Sequence, residues 1–570
     1  MRKTLAFLAI LATTIPLAAQ TAPQPKPAAP PKSTAPAKPA DVAPYVEKID
    51  VRVISVDVIV TDKKGNRVTG LTRDDFLIYE NGVPKPISNF YEVEAEKKPV
   101  AAAGAPVAPK SAVQIAEIPD NQRRRLIFYI DNLSLAPFNR NRVFKDMKKF
   151  LETAMRPGDE AMIATFNKSI KVRLPFTRDS VQVSQTLDAI MGESGLGLSA
   201  RSESRDTLKR IQDAQGSDEA VGIARQYAES VQHDLRENVE AINGLMSTVA
   251  GLEGRKVLIL TTEGFQMQPG REMFYAIEET GRTKGWSSSG SLLEGMAFDS
   301  NGMIQSIAKT ANANNVTLYT IHAGGLGAGQ DNNLAEFDKA TPYSVTSTAI
   351  ANSTESLQMM AEMTGGLYSI NTNNFGAMFK KINDDLDSYY SLGYRAGANR
   401  VDSQRTIDVR TKNKDYYARA RQSFVEKSTF AEMGDRVVAN LLYRTKVNDL
   451  RIVTKINSPI PSDDLFKIPV EIHIPMENLT LLPQGETYSG GFTLFVVVGN
   501  KDGDMSEVQH QQASIHVPQA DYAKIKGKYY TYTLDLIVEP GLNNISVGVI
   551  DDISNVQGFD RQQVIAKDLR

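Results

Sequence analysis

Residues 123–142 read RRRLIFYIDNLSLAPFNRNR, and this stretch decides the fold of the central part of the chain. Its apolar run, Leu126 to Ile130, ends at Asp131, and Pro137 follows where a helix can begin. A short apolar run followed by a helix start predicts a buried parallel strand that feeds a crossover helix. Because ligands of open α/β sheets lie at the carboxyl ends of such strands, Asp131 is the first candidate site residue.

The alternation of strands and helices continues to about residue 387. Apolar runs at 160–166, 256–261 and 316–322 predict further strands, and amphipathic stretches such as 139–155 predict helices between them. This pattern predicts an α/β fold with a doubly wound, mainly parallel sheet.

Two long stretches of the same region, 267–302 and 323–352, show no apolar periodicity and are rich in Gly, Ser, Asn and Thr. Each follows the end of a predicted buried strand, so we expect loops on the same face as Asp131. Long loops in a compact domain are either functional or mobile, and the sequence leaves both alternatives open.

The flanking regions have the short alternating strands of β proteins. A strand at 51–60 precedes a predicted hairpin, in which 77–80 pairs with 87–93 across the Asn81-Gly82 turn. Regular short strands after residue 449 predict a β-sandwich of the immunoglobulin or fibronectin kind. The expected domains are a signal peptide (1–20), a Pro/Ala-rich linker (21–44), a small β module (45–97), a second linker (98–122), the α/β domain (123–387), a three-stranded β extension (388–427), a helix (428–448) and the sandwich (449–570).

The amino terminus has the pattern of a secretory signal. Arg2 and Lys3 precede an apolar run, Leu5 to Leu17, and small residues follow it. The run is too short to span a membrane comfortably, although an uncleaved anchor is the alternative. We expect an exported protein, periplasmic or extracellular, with no transmembrane segment in the mature chain.

Charge and cysteine content exclude several functions. The formal net charge is -2, which makes no electrostatic case for nucleic acid. The chain has 0 cysteines, so disulfides, cysteine nucleophiles, thiolate zinc sites and iron–sulfur clusters are excluded.

Carboxylates are the better candidates for a site. Asp131 and Glu263 each end a predicted strand of the same sheet, so they are expected near one another. Carboxylates and loop hydroxyls suit a hard cation such as Mg²⁺. The alternative is that Asp131 caps the following helix and Glu263 is an exposed loop acid. His322 also ends a strand, where a hydrogen-bonded structural histidine is favoured over a ligand or base.

Residues 123–387 resemble a von Willebrand factor A (VWFA) domain. The resemblance rests on the order of the apolar strand into Asp131, the amphipathic helix, residues 159–166, LPFTRD at 174–179 and RKVLILTTEGF at 255–265. The flanking motifs VIVTDKKG (58–65), GLTRDDF (70–76), YENG (79–82), YYSLGY (389–394) and YARAR (417–421) resemble the exported VWFA-related proteins of Acidobacteria.

The resemblance implies a divalent cation held by an Asp-x-Ser-x-Ser loop, a threonine and a third-loop aspartate. Here Asp131 matches, Leu133 and Leu135 replace both serines, Ser134 is out of register, and Glu263 stands for the aspartate. The threonine cannot be assigned, because residues 192–222 are inserted where it should lie. The predicted metal site is therefore degenerate: Asp131, Ser134 and Glu263, with Mg²⁺ or another divalent cation as candidate cofactor.

These observations predict a non-catalytic binding protein. Its partner would be a protein or an envelope polymer, held by the loop-rich face of the A-type domain. One alternative is a metal-assisted hydrolase that uses Asp131, Glu263 and His322. Another is a structural envelope component whose β modules supply assembly surfaces.

Overall fold

A computed structural model describes residues 53–94, 120–287, 290–326, 343–395 and 401–567. The predicted signal peptide (1–20), the first linker (21–44) and most of the second linker (98–122) lie outside these residues, as does part of the second predicted loop. The described residues divide into two compact units, one that covers Val53–Ala439 and one that begins at Asn440. No helix in the described ranges is long and apolar enough to cross a membrane.

The first described strands contain one two-residue hairpin. The strands are β1 (Val53–Asp62), β2 (Phe76–Glu80), β3 (Val83–Lys85) and β4 (Ile87–Glu94). Asn81 and Gly82 both have positive φ, as a tight hairpin turn requires, and they join β2 to β3. The predicted pairing of 77–80 with 87–93 is wrong, because β4 belongs to a different sheet. Pro86, between β3 and β4, has no N–H with which to continue the ladder.

The α/β region follows in chain order. Its strands and helices are β5 (Arg124–Asp131), α1 (Pro137–Ala154), β6 (Glu160–Phe166), β7 (Ile170–Thr177), α2 (Ser180–Met191), α3 (Gly197–Asp213), α4 (Ser217–Thr248), β8 (Arg255–Thr262), α5 (Arg271–Lys284), α6 (Ser291–Met296), α7 (Asn301–Ala313), β9 (Val316–His322), α8 (Tyr343–Thr364), β10 (Tyr368–Ser369) and α9 (Phe375–Asp387).

The six strands of this region form one sheet in the order β10-β9-β8-β5-β6-β7. All neighbours are parallel except β6 and β7, which are antiparallel. The apolar run 126–130 lies in the fully buried β5, between β6 and β8. The helix predicted from the amphipathic stretch 139–155 is α1, and its apolar residues Val143, Met147, Phe150 and Leu151 are all buried in the core around β5.

The expected loop at 267–302 is wrong for most of its length. Helix α5 buries Met273, Phe274 and Ile277, which lie on one face at helical spacing. Helix α6 and the start of α7 occupy the rest of the stretch. Helix α8 begins at Tyr343, inside the second expected loop, and α3 occupies most of the inserted segment 192–222.

The last strands of the first unit pair with the first ones. They are β11 (Ser388–Arg395), β12 (Gln404–Thr411), β13 (Tyr416–Arg419) and β14 (Ser423–Val425). Two sheets result, in the orders β13-β1-β11-β4 and β14-β12-β2-β3. One apolar cluster draws on both stretches of sequence, with Val58 and Phe76 from the first and Tyr390, Leu392 and Phe424 from the second. The segments expected as a module and a separate extension are thus joined strand to strand.

The YARAR motif at 417–421 ties these strands to the α/β region. Arg419 donates to both carboxylate oxygens of Asp385 at 2.9 Å and to the carbonyl oxygens of Gly365 and Gly366 at 3.0 Å. Arg421 donates to the carbonyl oxygen of Ser55 at 2.7 Å. Two arginines of one β segment therefore bind backbone or carboxylate groups of three other elements.

Helix α10 (Thr429–Tyr443) contains the boundary between the units. The strands that follow are β15 (Val453–Ile456), β16 (Ile460–Ser462), β17 (Leu465–Pro475), β18 (Leu482–Gln484), β19 (Thr487–Asn500), β20 (Gln509–Pro518), β21 (Tyr529–Val538), β22 (Gly541–Asp551) and β23 (Gln557–Ala566). They form two antiparallel sheets, one around β17 and one around β19. Inward residues of both sheets, such as Val470 and Val496, share one core.

Candidate functional site

Asp131 lies at the carboxyl end of β5 and is 1% exposed. Because Ile130 stands beside Thr261 in the register of β5 and β8, Thr262 is brought next to Asp131. The Oδ2 atom of Asp131 accepts hydrogen bonds from Ser134 Oγ at 2.6 Å and from Thr262 Oγ1 at 2.7 Å. The two hydroxyl oxygens are 3.0 Å apart. Three oxygens from two strand ends therefore form a closed triangle.

The second carboxylate oxygen of Asp131, Oδ1, is buried and has no hydrogen-bond partner within the described part of the chain. Burial raises the pKa of Asp131 above its usual value, although the hydrogen bonds from Ser134 and Thr262 act in the opposite direction. The charged form of this carboxyl is therefore disfavoured where it stands.

Glu263 follows β8 and caps α1. Helix α1 has Ala136 at its N-cap position, where a methyl group can accept no hydrogen bond. The Oε1 atom of Glu263 accepts instead from the backbone N–H of Ala136 at 2.9 Å and from Asn139 Nδ2 at 3.0 Å. The alternative in which Asp131 caps this helix and Glu263 is an exposed loop acid is therefore wrong: Glu263 accepts from the N-cap residue, and Asp131 is buried.

The three predicted metal ligands, Asp131, Ser134 and Glu263, lie together with Thr262. We call these four residues the Asp131 cluster. Ser134 Oγ accepts from the backbone N–H of Glu263 at 3.0 Å while it donates to Asp131. Ser134, although out of register with the family pattern, connects the carboxylate of Asp131 to the backbone of Glu263. Metal binding by Asp131, Ser134 and Glu263 stays a prediction.

Sequence reasoning missed Thr262 and Arg201. Thr262 is the residue before Glu263, so its position at the strand end is the signal that could have found it. Arg201 lies in α3, within the inserted segment, and its Nη2 donates to Glu263 Oε2 at 2.6 Å. The two residues are 62 positions apart, and no local pattern connects them.

Glycines allow α3 to approach the loop after β5. A Cβ atom on Gly197 would lie 2.4 Å from the carbonyl oxygen of Ser134 and 2.6 Å from the backbone nitrogen of Ala136. The backbone N–H of Leu196 also donates to the carbonyl oxygen of Asn132 at 3.1 Å. This close backbone approach brings Arg201 over Glu263.

His322 ends β9 beside the cluster. Burial lowers the pKa of His322, the charge of Glu263 raises it, and the charges of Arg201 and Arg142 lower it further. Its Nδ1 is buried without a hydrogen-bond partner among the residues described here. Together these effects lower the pKa of His322, which favours the neutral imidazole. Arg142 donates to the carbonyl oxygens of Ala323 at 3.0 Å and Gly324 at 3.4 Å, directly after His322.

Three exposed apolar side chains lie in segments that adjoin the cluster, and we call them the apolar rim: Phe138, Leu198 and Leu326. Phe138 is in the first turn of α1, and the Arg142 guanidinium lies 5.8 Å from its ring. Leu198 follows Gly197, whose backbone packs against Ser134. The backbone N–H of Leu326 donates to Asn373 at 3.2 Å.

An open groove of about 640 Å³ runs between α3 and α4. Its lining is mixed: it includes Leu198 of the apolar rim as well as Glu203, Asp206, Arg210 and Tyr227. Across the ranges that the structure describes, no group of three or more histidine and carboxylate side chains is arranged to hold a metal ion.

No protein-family model and no curated protein matches the chain. Solved structures with a similar arrangement include an aerotolerance-related membrane protein from Bacteroides fragilis, 11% identical, covering 46% of this chain and 98% of that one, with a TM-score of 0.24. A second is proximal thread matrix protein 1 from the mussel byssus, with a zinc-occupied MIDAS motif (11% identity, 46% and 48% covered, TM-score 0.21). A third is the pilus adhesin SpaC from Lactobacillus rhamnosus GG (10% identity, 79% and 53% covered, TM-score 0.24). Because each TM-score is below 0.5, no inference about function is taken from these likenesses.

Proposed function

We propose that the chain is an exported, non-catalytic binding protein. Its binding face lies at the carboxyl ends of β5, β8 and β9 and takes a protein or an envelope polymer. The apolar rim carries the proposal, because three apolar side chains are exposed in three segments that adjoin the polar cluster. Exposed apolar surface bordered by polar groups is typical of interaction sites.

The proposed architecture is a doubly wound A-type domain, with an immunoglobulin-like or fibronectin-like sandwich in the second unit. The order β10-β9-β8-β5-β6-β7 supports the first part, since two halves of the sheet run outward from β5 and β8. The shared core of the two C-terminal sheets supports the second. Membership of the exported Acidobacterial group rests on the flanking motifs, and export rests on the sequence of residues 1–20.

The contacts of the cluster favour binding over hydrolysis. Asp131 is too buried for a substrate to reach its carboxylate. Both oxygens of Glu263 already accept hydrogen bonds, one of them from a guanidinium, so this side chain is a poor general base. The Nδ1 atom of His322 has no hydrogen-bond partner within the described ranges, and that atom is buried.

The predicted metal ligands fit a divalent cation poorly as a set. Mg²⁺ requires near-octahedral oxygen ligands at about 2.0–2.1 Å. The unpartnered oxygen of Asp131 suits such an ion, but Leu135, at one of the family's serine positions, is buried in the core. Arg201 already places a positive charge against Glu263. We infer that the face binds its partner without a metal ion.

Substitution of the apolar rim tests the proposed function. The variant carries Phe138→Ser, Leu198→Ser and Leu326→Ser, and the immobilised full chain is exposed to an envelope extract from its own source. We expect the variant to lose the components that the native chain retains, because burial of these side chains contributes about 25 cal/mol per Å² of apolar surface.

The matched control replaces three exposed apolar residues of the second unit: Val453→Ser, Ile460→Ser and Ile565→Ser. We expect this control to retain the same components as the native chain. Equal retention by the rim variant and the native chain, with both folded by circular dichroism, would overturn the proposed face.

A further inference from the structure

The Arg201 guanidinium is only partly used by the protein. Of its five N–H donors, one donates to Glu263 Oε2 at 2.6 Å, and no other hydrogen bond of this side chain is present among the described residues. The side chain is 42% exposed. The remaining donors can therefore meet an acceptor from outside the chain.

Arg201 is held in position before a partner arrives. Its carboxylate partner, Glu263, is itself fixed on the other side by Ala136 and Asn139. Helix α3, which carries Arg201, is fixed by the contact of Gly197 with the loop after β5. A pre-positioned guanidinium loses less side-chain entropy on binding than a free one.

Two of the three charges that act on the neighbouring His322 are positive. They belong to Arg201 and Arg142, and the third belongs to Glu263, whereas Asp131 is buried and accepts from two hydroxyls. Two guanidinium groups against one carboxylate favour an anionic ligand. A carboxylate matches the planar fork of a guanidinium better than a single-point anion does.

We propose that Arg201 captures a carboxylate of a protein partner, at a face where the apolar rim receives the apolar neighbours of that carboxylate. The rim favours a protein over a polysaccharide, since Phe138 and Leu198 offer apolar contact next to the charge. This inference rests on the proposed binding face and names the chemistry of its partner.

Selection from a phage-displayed library of random nine-residue peptides tests the inference, with the full chain as bait in EDTA. We expect the native chain to enrich peptides with aspartate or glutamate next to apolar residues, and the Arg201→Ala variant to lose this enrichment. For one selected peptide, fluorescence polarisation should show about tenfold or greater weakening with Arg201→Ala, the size expected for a charged hydrogen bond. Arg201→Lys keeps the charge and loses the planar fork. Its affinity for the peptide should lie between those of the native chain and Arg201→Ala.

The matched control is Arg225→Ala, since Arg225 is 49% exposed and pairs with one glutamate at 2.9 Å, much as Arg201 does. This control should bind like the native chain. Enrichment of apolar peptides without acids, unchanged by Arg201→Ala but lost on substitution of the rim, would overturn the inference and leave the proposed function standing. Acidic enrichment that requires Mg²⁺, or binding of polygalacturonate with no peptide selected, would also overturn it.

Discussion

Asp131 occupies the most constrained position in the candidate site. Its carboxylate is buried, one oxygen accepts from two hydroxyls, and the other has no partner in the described chain. An ionised carboxylate in such surroundings is costly, which is why its pKa is raised. The ionised form of Asp131 therefore lowers the free energy of unfolding.

The pH dependence of Asp131→Asn follows from that shift. Because the folded-state pKa is raised above 3.8, the folded chain binds more protons than the unfolded chain just above that pH, and stability falls as the pH rises through this window. The asparagine side chain of the variant does not titrate, so it adds no such pH dependence. The free energy of unfolding of the variant, relative to the native chain, should therefore rise as the pH increases above about 4.

Urea unfolding of both chains at several pH values measures this difference. The control is Glu240→Gln, a neutralised carboxylate on the exposed side of α4. The difference in the free energy of unfolding between Glu240→Gln and the native chain should change little over the same pH range. A relative stability of Asp131→Asn that falls with rising pH would show that the native carboxylate is stabilising when charged.

Single residues also show what could be predicted from sequence. The position of Asp131 at a strand end followed from a local pattern, the apolar run 126–130. Thr262 and Arg201 could not be assigned in this way, because their contacts with Asp131 and Glu263 span 131 and 62 positions of sequence. Ser134 is a candidate because of its residue type, and only the turn geometry shows that it reaches the carboxylate of Asp131 and the backbone of Glu263.

Helix α3 is the element on which the site depends most. It was expected only as an inserted segment, yet it supplies Arg201 and lies against the loop after β5. Its sequence, rich in Ser, Arg and Asp, offered a weak helical pattern. Helix α5 was missed for a different reason: the Gly- and Ser-containing composition of 267–302 concealed the spacing of Met273 and Ile277.

Gly197→Ala tests the packing of α3. The added Cβ would lie 2.4–2.6 Å from backbone atoms of Ser134, Leu135 and Ala136, so the helix has to move away. We expect a loss of about 1–3 kcal/mol in the free energy of unfolding, as for overpacking in general. Urea unfolding measures this loss, and weaker peptide binding should accompany it.

Gly244→Ala is the matched control, because no atom lies within 4 Å of the added Cβ and Gly244 is inside α4. Alanine is the better helix former, so this variant should gain about 0.5–1 kcal/mol. If Gly197→Ala were as stable as Gly244→Ala, the close approach of α3 to the loop would be wrong.

At the scale of the whole molecule, the α/β region interrupts a β domain. Strands before it and after it share two sheets, and β11 lies between β1 and β4. Local patterns identified many of these strands, but partners more than 300 positions apart lie beyond any local pattern. The ion pair of Arg419 with Asp385 gives the YARAR motif a structural role within the first unit.

The central claim is that a rigid polar cluster with an apolar rim binds a partner without a metal ion. Calorimetric titration of Mg²⁺ into the full chain and its Asp131→Ala variant tests it most directly. We predict only the heat of dilution in both, because Arg201 supplies the positive charge at Glu263. A saturable heat in the native chain that Asp131→Ala abolishes would contradict the account.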